Sequence, residues 1–103
     1  MRLRLPSPAD APAVADLYLR CGRKAGELEL ARLLRFDPRS RLVIAATALV
    51  DARETTVGIG SIALEDDAPD TVVVDEGLSD GLGELLSGAL IGRARAIADA
   101  RAA

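Results

Sequence analysis

The feature that most constrains the fold is a pair of aliphatic, β-branched segments joined by a short polar turn. The first segment is Arg41–Val50 and the second covers residues 55–64. Only four residues, 51–54, separate them, so the two segments are predicted to form an antiparallel hairpin. Gly58 and Gly60 lie inside the second strand, where glycine indicates a bulge or a close neighbour.

Two helices are predicted before this hairpin. Asp10 can cap the first, whose apolar residues recur on one helical face at Val14, Leu17, Tyr18 and Cys21. The second helix begins at Gly26 and carries a narrow stripe of leucines: Leu30, Leu33 and Leu34. It ends before Pro38, because proline disfavours a helical conformation in the residue before it.

Further elements are predicted at both ends of the chain. Residues 2–5 alternate as a short first strand, and after an acidic turn residues 71–74 form a fourth strand. A loop at 75–80 leads to a final helix with apolar residues at helical spacing: Leu82, Leu85, Leu86, Ala89, Leu90 and Ile97. The predicted order is β-α-α-β-β-β-α, a single α+β domain over residues 1–103. Its sheet is mostly antiparallel, with helices packed against it in a sandwich-like arrangement.

Composition excludes several classes of function. The net charge is -3, which argues against binding nucleic acid, because that requires a basic face. The chain has no histidine, the commonest metal ligand and general base, and we expect no metal site. A single cysteine, Cys21, fits a reducing compartment, and we interpret it as a core residue rather than a nucleophile. With no long apolar run, we expect a cytoplasmic protein that does not enter a membrane.

Three stretches resemble the GCN5-related N-acetyltransferase (GNAT) superfamily. Residues 2–20 are similar to the family's first strand and helix, residues 36–60 to its second strand, hairpin turn and third strand, and residues 70–86 to its fourth strand, cofactor turn and third helix. The nearest members are bacterial protein-lysine acetyltransferases. The resemblance covers nearly the whole chain but only the amino-terminal half of the family's domain, so we expect a truncated GNAT-like fold.

This resemblance implies an acetyl-CoA site at Val74, Gly81, Leu82 and Gly83. In the family, backbone N–H groups at a glycine-containing helix N-terminus bind the pyrophosphate, and the N–H of the fourth strand polarises the thioester. Gly81 and Gly83 match the family's turn. Leu78 replaces its glutamine or arginine, and Asp80 adds negative charge beside the phosphates.

No catalytic residue is assigned. Glu65, Asp70 and Asp75 are the carboxylates near the relevant strand ends, and each is interpreted first as a turn residue. The tyrosine that serves as the family's acid lies beyond the region of resemblance. Tyr18 is interpreted as a core residue with a solvated hydroxyl.

The run Val72–Val74 is predicted to lie on an open sheet edge and to need a partner. A continuous β-branched edge favours pairing with another chain, either a second copy or a different protein. Three hypotheses remain open. The chain is a degenerate dimerising or partner-binding module, or an acetyl-CoA-dependent N-acetyltransferase completed by a second chain, or a fragment of a longer enzyme.

Overall fold

The structure, a computed structural model, describes residues 1–78 and 80–102. In chain order the elements are β1 (Arg2–Arg4), a 3-10 turn (Pro8–Asp10), α1 (Ala11–Arg20), α2 (Glu27–Leu34), β2 (Arg41–Val50), β3 (Arg53–Ala63), β4 (Thr71–Val74) and α3 (Leu82–Ala102). The predicted order of strands and helices is therefore confirmed as an α+β fold. The predicted loop at 75–80 includes Ser79, and the predicted domain includes Ala103; both residues lie outside the described part.

The strands form one sheet in the order β1-β2-β3-β4, and every neighbouring pair is antiparallel. The β2–β3 hairpin is tighter than the sequence predicts, because the ladder continues to the pair Val50 and Arg53. Only Asp51 and Ala52 form the turn, with φ of 52° and 65°. Positive φ at both central residues is the geometry of a type I′ turn, whose twist matches that of the flanking strands.

A β-bulge interrupts the hairpin in the middle of β3. The register shifts between Ala46, which pairs with Gly58, and Thr47, which pairs with Thr56. Val57 is thus the extra residue, and its side chain packs with Ala46 and Leu82. The predicted irregularity near the β3 glycines is confirmed, and it bends the strand where α3 begins.

Helices cover both faces of the sheet. On one face α1 and α2 contribute Val14, Leu17, Tyr18, Leu33 and Leu34, which pack on the strand residues Val43, Ile59 and Val73. On the other face α3 packs Leu86, Leu90 and Ala94 against Leu42, Ile44 and Ile62. The apolar residues of each strand therefore alternate between two separate cores, as period-two side-chain geometry requires.

Helix α3 lies close to β3 because two β3 residues have no side chain. A Cβ at Gly60 would stand 2.6 Å from Leu90 Cδ1, and one at Gly58 would stand 3.3 Å from Leu82 Cδ2. The buried stripe of α3 consists of Leu82, Leu86, Leu90 and Ala94, at intervals of four residues. Leu85, predicted from its spacing to share the apolar face, is 48% exposed because it lies to the side of that stripe.

Replacing Gly60 with alanine should destabilise the fold. The new methyl group would overlap Leu90, and overpacking of this kind costs about 1–3 kcal/mol. Urea denaturation measures the difference. The matched control is Gly88→Ala on the open surface of α3, where nothing lies within 4 Å. It should stabilise the protein by about 0.5–1 kcal/mol through helix propensity. Equal effects at the two positions would contradict the close packing.

Replacing Ala52 with glycine should stabilise the hairpin. An L-residue with a Cβ loses roughly 1 kcal/mol in the left-handed region, and glycine removes that strain. After the entropic cost of glycine, we expect a net gain of about 0.5 kcal/mol in the free energy of unfolding. The control is Ala48→Gly, in the extended part of β2, which should instead lower the free energy of unfolding. A loss of stability in Ala52→Gly would argue against the type I′ turn.

Candidate functional site

The residues predicted to bind a cofactor meet where β4 ends and α3 begins. Val74 is the last residue of β4, and a Cβ at Gly83 would stand 3.6 Å from Val74 Cγ2. Gly81 precedes α3 with φ of 74°, a conformation that glycine adopts without strain. Its carbonyl accepts the first helical hydrogen bond, from Leu85 N at 3.1 Å. The side chain of Leu82 is buried in the core, so only its backbone could face a ligand.

The charges around this helix N-terminus are mostly negative. Glu76, Asp80 and Glu84 are exposed next to the turn. The nearby Asp75 is neutralised, because Arg20 Nε donates to its Oδ2 at 3.0 Å. Arg20 also binds Asp16 and donates to the carbonyl of Thr56 at 2.7 Å. A phosphate at this helix N-terminus would thus lie near acidic side chains. The guanidinium of Arg20 is already bonded to other groups of the protein.

Arg20 is more than a solvated basic residue at the end of α1. Arg20 bridges α1, β3 and the residue after β4, and its side chain is only 28% exposed. The 55-residue separation between Arg20 and Asp75 explains why no local pattern predicted the pair. At the end of α3, Arg101 likewise bonds within the fold: it donates to the carbonyl of Arg39 at 2.6 Å and joins α3 to the residues before β2.

One edge of β4 has no neighbouring strand within the described residues. Val73 pairs with Ile59, and Asp75 N donates to Val57 O at 2.8 Å, so Val73 and Asp75 direct their backbone groups towards β3. By the alternation of an antiparallel ladder, Val72 and Val74 direct theirs outwards. The Cys21 thiol donates to the outward carbonyl of Val74 at 3.3 Å. The open edge therefore presents two N–H groups and two carbonyls.

Cys21 is partly buried beside this edge. Burial, together with the charge of Asp75, raises the pKa of its thiol, so the thiolate is disfavoured at neutral pH. This environment fits the interpretation of Cys21 as a packing residue.

A polar network at the start of β4 was not predicted from the sequence. Arg32 Nη2 donates to Thr71 Oγ1 at 2.7 Å and also binds Glu29. Asp70 accepts a hydrogen bond from Arg41, whose Nη1 also donates to Ser61 Oγ at 2.7 Å. The network ties α2 and β2 to the first residue of β4. Its one local sequence signature is the pair Glu29 and Arg32, three residues apart on α2.

Tyr18 belongs to the same network and is 2% exposed. Its hydroxyl donates to Glu29 Oε1 at 3.1 Å, so the hydroxyl predicted to be solvated is bonded to the protein instead. Burial and the charge of Glu29 raise its pKa to about 12. Tyr18 therefore stays protonated at physiological pH, which argues against its acting as a general base.

The three candidate carboxylates occupy different environments. Burial opposes ionisation of Asp70, but hydrogen bonding to Arg41 and the charges of Arg41 and Arg32 outweigh it and lower its pKa. Asp75 is paired with Arg20, and Glu65 is exposed near the end of α3. Asp70 and Asp75 thus serve ion pairs, and the structure brings none of the three to Gly81 or Gly83.

Three surface grooves found among the described residues lie away from the predicted cofactor turn. Three grooves of about 240, 380 and 250 Å³ are found at the β1–β2 edge, between α1 and α2, and beside the end of α3. None of the three is lined by Val74, Gly81 or Gly83. Within residues 1–78 and 80–102, no cluster of three or more potential ligands is placed to hold a metal ion. No helix in the same residues is long and apolar enough to cross a membrane.

Comparison with known proteins adds no relative. The chain matches no protein-family model, no curated protein and no solved structure. The geometry of the β4 edge and the α3 N-terminus is therefore the basis for any functional argument.

Replacing Asp70 with asparagine should weaken the start of β4. Because the pKa of Asp70 is lowered on folding, its ionised form stabilises the protein above the unfolded pKa, and this contribution disappears as the pH falls through the folded pKa. We expect Asp70→Asn to lose about 1 kcal/mol or less near neutral pH, since the Asp70 side chain is over a third exposed.

The test is urea denaturation of both proteins across the acid range. The difference in the free energy of unfolding should be constant near neutral pH and begin to shrink as the pH falls towards the ordinary aspartate pKa of about 3.9. It should vanish once the folded carboxylate, whose pKa is lower, is protonated. Asp67→Asn, in the exposed turn before β4, is the control and should change little. A difference that persists unchanged in strong acid would exclude the ion pair as the cause.

Proposed function

We propose that this chain is a GNAT-like module without catalytic activity, and that its function is to bind another polypeptide along the open edge of β4. The observation that carries the proposal is the edge itself. Val72 and Val74 direct unpaired N–H groups outwards, and their side chains pack on the same sheet face as α3. An extended segment added there would form main-chain hydrogen bonds, as in β-strand addition.

The family resemblance is supported by the arrangement of the elements. Four antiparallel strands in sequential order, two helices on one face and a helix that starts directly after β4 are what the GNAT resemblance implies for this region. In that family, the fourth strand faces the cofactor along the same edge. We propose that the edge is kept here while the chemistry is lost.

Three features argue against acyl transfer. The turn lacks a basic residue at Leu78, acidic side chains surround the α3 N-terminus, and Arg20 is bound to Asp16 and Asp75. The tyrosine within the described residues donates to Glu29 on the α1–α2 face, away from α3. A reaction that develops negative charge on a thiolate and binds a pyrophosphate would meet these acidic side chains at the α3 N-terminus, and the Arg20 guanidinium is already bonded to Asp75.

The alternative is an acetyl-CoA-dependent N-acetyltransferase whose site is completed by a second chain. One observation favours it: Gly83 lies against Val74, which brings the first turn of α3 next to the end of β4. The N–H groups of a first helical turn have no partner within their own helix and suit a phosphate. We therefore propose Val74, Gly81, Leu82 and Gly83 as the residues that would contact acetyl-CoA. Under either function we place the protein in the cytoplasm, where its one cysteine would remain reduced.

Titration with acetyl-CoA separates the two functions. For the binding module we expect no change in melting temperature at millimolar acetyl-CoA, because a ligand stabilises a protein only by binding its native state. A clear rise would favour the transferase. In that case Gly83→Leu should abolish the rise and Asp80→Arg should enlarge it.

The positive test is strand addition. The probe is a soluble peptide of alternating valine and threonine flanked by lysines, added to isotopically labelled protein. The amides of Val72 and Val74 should shift and become protected from hydrogen exchange, while the amide of Val73, already bonded to β3, should not change. Binding elsewhere on the surface, or no binding at saturation, would refute the edge as the interaction site.

A further inference from the structure

We infer that the strand received by the β4 edge is β4 of a second copy of this chain, paired antiparallel about a twofold axis through Val73. This inference rests on the proposed function, since it names the partner that the open edge binds. In this register Val72 of each copy lies opposite Val74 of the other. The two copies then form one continuous eight-stranded sheet.

The outward-facing groups fit this register. Val72 and Val74 are the two β4 residues whose backbone groups face away from β3, and opposite residues of this kind exchange both N–H···O=C bonds. Four intermolecular hydrogen bonds result. The carbonyl of Val74 already accepts the Cys21 thiol at 3.3 Å, but a carbonyl oxygen has two lone pairs and can accept a second donor.

At the ends of β4, the antiparallel arrangement keeps the two Asp75 side chains apart. Thr71 lies opposite Asp75 of the second copy, and Thr71 Oγ1 is held by the Arg32 guanidinium at 2.7 Å. Each end of the interface thus places the Thr71 hydroxyl, held by Arg32, against the Asp75 carboxylate, which Arg20 of its own copy neutralises. Parallel pairing in register would place Asp75 beside Asp75, which is repulsive.

The side chains also match. Every residue inside the paired segment is valine, and cross-strand pairs of β-branched residues are favourable. On the α3 face, Val72 and Val74 of each copy would extend the core that already contains Leu86 and Leu90. No charged residue lies within the strand to oppose the pairing.

Helices α1 and α3 leave room for the second copy. Both α1 and α3 pack on β3, through Ile59 on one face and Gly58 and Gly60 on the other. Three strand spacings of about 4.8 Å separate β3 from its symmetry mate, so equivalent helices would stand about 14 Å apart. This exceeds the usual packing distance of about 8–10 Å between helices, so they would not clash.

Sedimentation velocity and amide hydrogen exchange from low micromolar to millimolar protein test the inference. We expect a reversible monomer–dimer equilibrium in which protection of the Val72 and Val74 amides rises with the dimer fraction. Val72→Pro removes a donor that does not serve the β3 ladder, and by symmetry it deletes two of the four bonds. It should weaken dimerisation at least about tenfold.

The control is Leu28→Lys, at an 88% exposed position on α2, which should leave the equilibrium unchanged. A far-ultraviolet spectrum and melting curve establish that Val72→Pro is folded, and Val74→Pro is the second variant if it is not. A dimer without protection at Val72 and Val74, or a monomer at millimolar concentration, overturns the inference. A monomer that still binds the valine–threonine peptide at β4 leaves the proposed function standing, whereas loss of both refutes both.

Discussion

The contact between the α3 leucines and the β3 glycines governs the arrangement of this protein. With no side chains at Gly58 and Gly60, Leu86 and Leu90 approach the sheet backbone directly. The bulge at Val57 lets that residue pack beneath Leu82, which positions the first turn of α3. Because α3 is held over β3, its N-terminus lies against Val74, and β4 is left uncovered at its outer side.

Two polar networks then hold β4 at its ends. Arg20 binds the residue after the strand, and Arg32 and Arg41 bind the residues at its start. Each network joins helices on one face of the sheet to the edge strand, so a four-residue strand with one neighbour is held in a defined position. The same contacts hold the guanidinium groups of Arg20, Arg32 and Arg41 within the fold. The edge is therefore ordered for main-chain pairing, and these three cations are not free to bind a phosphate.

The two edge strands of the sheet, β1 and β4, differ in the features that oppose association with another chain. An edge strand normally carries charges or prolines that oppose association, and β1, with Arg2 and Arg4, fits this pattern. In contrast, β4 has three consecutive valines flanked by acidic residues, and its side chains are already packed on both faces. What remains available on β4 is the row of backbone groups, and this is the chemistry of strand addition rather than of a side-chain active site.

The sequence by itself determined the order of the elements, the β2–β3 hairpin and the buried faces of α1 and α2, because these follow from local periodicity and turn chemistry. It also indicated a close approach at Gly58 and Gly60, and the position of the turn before α3. Only the tertiary structure decided that Leu85 lies outside the buried stripe, that the hairpin turn has two residues, and that Tyr18 bonds to Glu29.

The pairing of Arg20 with Asp75, and of Arg41 with Asp70, was likewise beyond the sequence. These contacts join residues 55 and 29 positions apart, and their formation depends on how the helices lie on the sheet. Local patterns record which residues prefer burial or a turn. They do not show which charged side chains pair between elements. At the β4 edge, this pairing determines which groups remain available for binding.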